Sequence, residues 1–81
     1  MIKKKAVLLF DSSTVEKPIT YQLIKKYDLW INILQAKFEP GTGGKLVIEI
    51  RGDKKQIDEA FTYLEEQKIK VDFLDKEVSL N

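Results

Sequence analysis

The side chains able to do chemistry in this 81-residue chain are few, and their types restrict what it can be. There is no cysteine and no histidine, which removes disulfides, thiolate and imidazole metal sites, Cys/His and Ser/His nucleophile pairs, and the commonest general base near neutral pH. Amides, hydroxyls and carboxylates remain. Asn32 interrupts an apolar run in WINILQAKFEP, residues 30–40, where Trp30, Ile31, Ile33 and Leu34 surround it. Its amide offers two donors and an acceptor, a set suited to a ligand's carboxylate or ammonium, or to neighbouring backbone. Trp30, with Leu34, can wall a small apolar pocket beside it or pack at the core rim. In DSST, residues 11–14, hydroxyls and amides can hold an anionic or zwitterionic ligand through Ser12, or make a turn and cap through Asp11, Ser12 or Ser13. PGTGG, residues 40–44, joins two strands instead of a strand to a helix, so it is a hairpin and not a phosphate cradle. Asp58, Glu59, Glu65 and Glu66 fall on a solvated helix face, which gives them no catalytic or metal-ligating role.

Composition narrows the class further. The 14 basic and 13 acidic residues nearly cancel, so the overall balance does not point to nucleic acid or an anionic membrane. A chain of this size has room for one core and buries about 60% of its unfolded surface. No apolar run approaches the ~20 residues of a membrane span, and the lysines at positions 3–5 lead into a short strand instead of a signal-peptide core. The expectation is a soluble cytoplasmic domain that binds rather than catalyses, with no metal or cofactor of its own.

The elements follow from periodicity. KKAVLLF, residues 4–10, is a nearly continuous apolar run that reads as a central strand. Pro18 opens a helix reaching about Lys26, with Ile19, Leu23 and Tyr27 at spacings of four. Residues 29–39 alternate as a second strand with Leu34, Ala36 and Phe38 inward. That parity puts Asn32 on the helix-side face and turns Ile31 and Ile33 to the opposite one. KLVIEIRG forms a third strand with Leu46, Ile48 and Ile50 inward. Asp53 and Gln56 make a capping-box pattern ahead of a helix whose stripe is Ile57, Ala60, Phe61 and Leu64. KVDFL, residues 70–74, is the fourth strand.

This βαββαβ order predicts an α+β ferredoxin-like plait: a four-stranded antiparallel sheet in the order four-one-three-two, with two helices on one face. Residues 1–76 form the domain and residues 77–81 a tail or the start of a linker. Helices leave one sheet face open, and Ile31, Ile33, Val47 and one apolar set of the first strand, Val7 with Leu9 or Ala6 with Leu8 and Phe10, are expected to form a patch there. Beside the unpaired amides of an edge strand, that patch predicts a homodimer or a docking contact through Ile31 and Ile33. The central strands lack the aromatics on which RNA bases stack. Arg51 ends the third strand and does not sit in the first loop, where acylphosphatases carry an arginine.

INIL followed by QAKF, the Pro18–Ile19 helix start, GG before the third strand and the closing KVDFL together resemble the NIL domain over residues 3–75. The resemblance implies an amino-acid-binding regulatory module. It places such modules in two settings: the C-terminal end of methionine-importer ATPases, where methionine binding inhibits transport, and the N-terminal part of proteins that continue into iron–sulfur ferredoxin modules. The start at Met1 fits the second setting, with a ferredoxin module or redox partner beyond this segment. Asn32 occupies the position of the family asparagine, and methionine is the first candidate ligand.

Overall fold

In a computed structural model that describes residues 1–15, 17–74 and 78–80, the order is β1 (Ile2–Asp11), α1 (Ile19–Tyr27), β2 (Trp30–Glu39), β3 (Gly43–Gly52), α2 (Lys54–Glu66), β4 (Lys70–Phe73) and β5 (Val78–Ser79). The antiparallel sheet runs β2-β3-β1-β4, the predicted order, with β5 also pairing β1. β5 is an addition to the expected architecture. Ser79 and Val78 sit opposite Ile2 and Lys3, so part of the segment expected to be a tail rejoins the sheet.

Strand parity sorts the apolar residues. Ala6, Leu8 and Phe10 of β1 face Ile48, Leu46 and Gly44 of β3, and these positions share the helix side with Leu23 of α1 and Ile57, Ala60 and Leu64 of α2. Val7 and Leu9 are therefore the set on the open face, opposite Val47 and Lys45. Removing an aliphatic side chain from water contributes about 1.5–3 kcal/mol, and the fully buried Leu8, Leu23, Ile48, Ile50, Ile57 and Leu64 supply most of this core.

Local chemistry sets the helix ends. Asp28 takes a left-handed conformation (φ 53°) and donates its N–H to Ile24 O at 3.2 Å, while Lys25 and Lys26 complement the dipole of the last turn of α1. α2 closes in a Schellman arrangement: Lys68 has φ 64°, its N–H reaches Glu65 O at 2.9 Å, and Ile69 N–H reaches Leu64 O at 3.0 Å. Ile69 is buried beside this cap. At the other end Asp53 is the N-cap residue, yet its side chain makes no capping hydrogen bond, so the predicted Asp53–Gln56 box does not form.

β2 departs most from expectation. Ile31 and Ile33 pair with Ile50 and Ile48, whereas Gln35 and Ala36 pair with Val47 and Leu46; Leu34 is an extra residue in a β-bulge. Directly paired residues share a face, so Ile31 and Ile33 lie on the helix side, and Asn32, opposite Glu49, lies on the open face. The predicted parity is thus reversed for every residue before the bulge. The expected open-face patch of Ile31 and Ile33 is not there. Ile31 packs half-buried against the core, while Ile33 (49% exposed) and Phe38 (44% exposed) form an apolar strip on the helix side of the edge strand. The Phe38 ring lies 5.5 Å from that of Phe10.

Candidate functional site

With Asn32 turned outward, four side chains meet at the corner where β2 begins and β3 ends. The register sets Trp30 opposite Arg51 and Asn32 opposite Glu49, all on the open face. The Arg51 guanidinium lies 4.3 Å from the centroid of the Trp30 ring, a stacked cation–π contact. From there its Nε and Nη2 donate to Glu49 Oε1 at 3.1 and 2.8 Å. These bonds hold the Glu49 carboxyl below its ordinary range, against the opposing effect of desolvation and with help from Lys3 and Lys5. Glu49 is 9% exposed and Trp30 49% exposed, and Asn32 is exposed. The Asn32 amide has no hydrogen-bond partner among the described residues. The corner therefore combines a carboxylate, a guanidinium, a free amide and an aromatic face on an unenclosed surface.

Of these four, Asn32 and Trp30 are the candidates named from the sequence, and the structure sets Glu49 and Arg51 beside them. The signal for the second two is present in KLVIEIRG, where alternation with the inward Leu46, Ile48 and Ile50 leaves Glu49 and Arg51 two apart on the outer face. Leu34 stands in the bulge, half-exposed, with no paired residue on β3.

Ser12 belongs elsewhere. Asp11 pairs with Gly43 and Asn32 with Glu49, so six residues of β3, about 20 Å, separate the two along the sheet. The DSST segment is a turn satisfied by its own groups: Asp11 Oδ1 accepts from Ser13 N (2.8 Å), Ser13 Oγ (2.6 Å) and Thr14 N (3.1 Å). These bonds, led by the Ser13 hydroxyl, lower the Asp11 pKa. The oriented carboxylate occupies the Ser13 and Thr14 donors, and Ser12 takes no part in these bonds. A single chain thus does not bring Ser12 and Asn32 into one site.

Two shallow clefts, each of about 260 Å³, lie away from this corner. One is at the hairpin end, between Phe10, Lys37, Thr42 and Lys45, and the other is between the helices, lined by Lys26, Tyr27, Asp58, Glu59, Thr62, Tyr63 and Glu66. Among the described residues no three acidic, histidine or cysteine side chains are grouped to hold a metal ion, and no helix is long and apolar enough to cross a membrane.

Comparison with known proteins agrees with this architecture. The chain is 34% identical over 70 residues to the methionine import ATP-binding protein MetN of Halalkalibacterium halodurans, covering 83% of this chain and 21% of that protein. It is 34% identical over 68 residues to MetN of Coxiella burnetii, covering 80% and 19%. It therefore spans about a fifth of the length of these curated relatives. The crystal structure of the C-terminal domain of an ABC transporter ATP-binding protein from Enterococcus faecalis superposes with a TM-score of 0.79 at 21% identity, over 90% of this chain and 84% of that one, and shares the fold. Residues 5–72 match the NIL domain family, and the chain belongs to it.

Proposed function

We propose that this NIL domain is a non-catalytic cytoplasmic sensor of a sulfur-containing amino acid, methionine first, and that it works as a homodimer joined along β2. The observation that carries the reading is the unpartnered Asn32 amide beside the Glu49–Arg51 pair and the Trp30 ring. An amino-acid zwitterion can exchange with that internal pair, its carboxylate accepting from Arg51 and Asn32 and its ammonium donating to Glu49. A thioether packs favourably against an indole, which suits methionine to Trp30. The names of the relatives, methionine import ATP-binding proteins, support the same ligand.

The corner is open, and a site that excludes water needs a second wall. An antiparallel neighbour on the β2 edge would provide it, because the unpaired strand amides and the half-exposed Ile33, Leu34 and Phe38 run along that edge. Calorimetric titration of the chain with L-methionine tests the proposal. Binding is expected, and Asn32→Ala, which removes one hydrogen bond to a charged group worth about 1.5–3 kcal/mol, should weaken it about 10- to 150-fold. Absence of heat with methionine and homocysteine at millimolar concentration would overturn the sensing function. The alternative, a dimerisation or docking module attached to an iron–sulfur ferredoxin, would then be the better account of the apolar edge.

A further inference from the structure

We infer that the cleft between α1 and α2 is a second binding site, for a linear polyamine, whose ammonium groups take the place now held by the chain's own Lys26. The floor is aromatic. Tyr27 ends α1 and Tyr63 lies in the last turns of α2, with ring centroids 5.9 Å apart and planes tilted by 54°. The Lys26 Nζ sits 4.5 Å from the Tyr63 centroid and 5.6 Å from that of Tyr27. A primary ammonium thus already occupies the two ring faces, which shows that their geometry accepts one. Tyr63 is fixed in place by its hydroxyl, which donates to Gln22 Oε1 at 2.8 Å.

The rim supplies the opposite charge. Asp58, Glu59 and Glu66 line the same cleft, and none has an ion-pair partner among the described residues. Among the residues lining the cleft these three carboxylates face the single charge of Lys26. No basic residue stands in the last turn of α2, so the negative end of the helix dipole adds to the carboxylate charge around Glu66. Asp58 and Glu66 are eight residues apart, about 12 Å along the helix. One compact cation cannot meet carboxylates spread over that length as well as two ring faces. A chain of amines separated by methylenes can, with its alkyl segments against the tyrosines and its charges at the carboxylates. Lys26 is exposed, and its flexible stem can swing out as a ligand amine enters.

The role of Lys26 as internal competitor gives the test its sign. Chemical shifts of the ¹⁵N-labelled chain would be followed during titration with spermidine, with tetramethylammonium, Mg²⁺ and a lysine-rich peptide as separate arms. Spermidine should perturb residues 26–27 and 58–66 and leave Asn32 and Glu49 unmoved. Lys26→Gln should tighten spermidine binding about 2- to 5-fold by removing the competing cation–π contact, and Tyr63→Leu should weaken it by a similar factor. Glu59→Gln, a substitution on an exposed helix surface, should weaken it without changing the fold. Equal perturbation by Mg²⁺, which cannot use the rings, would reduce the cleft to a diffuse acidic surface and overturn the proposal. So would tighter binding of the peptide, weaker binding by Lys26→Gln, or no shifts at 10-millimolar-order spermidine concentrations. A failure of methionine to bind at Asn32 would leave this result untouched, because the two sites share no residue.

Discussion

Replacing Ile33 by lysine tests the proposed dimer along β2 separately from folding of the single chain. Ile33 keeps 49% of its surface exposed although its partner, Ile48, is 1% exposed, so the residue contributes only part of its burial energy to the monomer. Complete burial of an isoleucine is worth about 1.5–3 kcal/mol; about half remains to be gained, and a two-fold contact gains it twice. Ile33→Lys should therefore cost the dimer about 1.5–3 kcal/mol, before any repulsion between the two new ammonium groups, and raise its Kd about 10- to 150-fold. The monomer should lose little, because lysine is tolerated on an exposed edge strand and can keep its charge in water. Sedimentation equilibrium across micromolar concentrations measures the first quantity and thermal unfolding of dilute protein the second. A wild-type chain that stays monomeric throughout, or a variant that dimerises as tightly as wild type, would refute the reasoning. A variant that unfolds instead would show that the exposed half of Ile33 is covered within the monomer.

Three further outcomes follow from the geometry. Arg51→Lys keeps the charge but loses the planar fork stacked at 4.3 Å on Trp30 and bonded to Glu49; the Trp30 emission should shift, and an unchanged spectrum would mean that the stack does not exist in solution. Leu64→Ala opens a cavity at a fully buried α2 position and should cost about 2–5 kcal/mol in urea denaturation with an unaltered m-value, whereas a loss below 1 kcal/mol would place Leu64 outside the core. Glu49 and Asp11 both have folded pKa values below their ordinary 4.5 and 3.8. Their contribution to stability is therefore complete above those values and is lost as pH falls through the lower folded ones. Glu49→Gln should flatten that acid limb of the stability curve, and an identical limb would remove Glu49 from the account.

The fold was legible because each element carried its own period: the i, i+3, i+4, i+7 stripe of α2 matches its buried residues, and the alternation of β3 picks out the Leu46, Ile48 and Ile50 face turned to the helices, although Val47 and Glu49 on the opposite face are buried as well. Turn chemistry in DSST was legible as one of two readings, and the Asp11 bonds to Ser13 and Thr14 decide it in favour of the turn. The missing side-chain cap at Asp53 was not, since a capping pattern fixes spacing but not whether the carboxylate turns toward the helix N–H groups.

The parity of β2 departs from strict alternation for a reason the residues themselves contain. Ile31 and Ile33 occupy odd positions while Ala36 and Phe38 occupy even ones, so strict alternation must send one apolar pair to the core side and the other to solvent. Both pairs can share one face only if a residue between them is extra, and Leu34 is that residue. The two parities were thus a signal for a bulge instead of an apolar patch on the open face. The consequence reaches the site directly. Without the extra residue, keeping Ala36 and Phe38 inward would turn Asn32 toward the helix layer, where an unpartnered amide is costly, and would carry Trp30 with it. With it, the amide faces solvent beside Glu49 and Arg51, and the same single residue leaves Ile33 on the helix side of an unpaired edge. The candidate ligand corner and the candidate dimer strip therefore depend on one structural feature of β2.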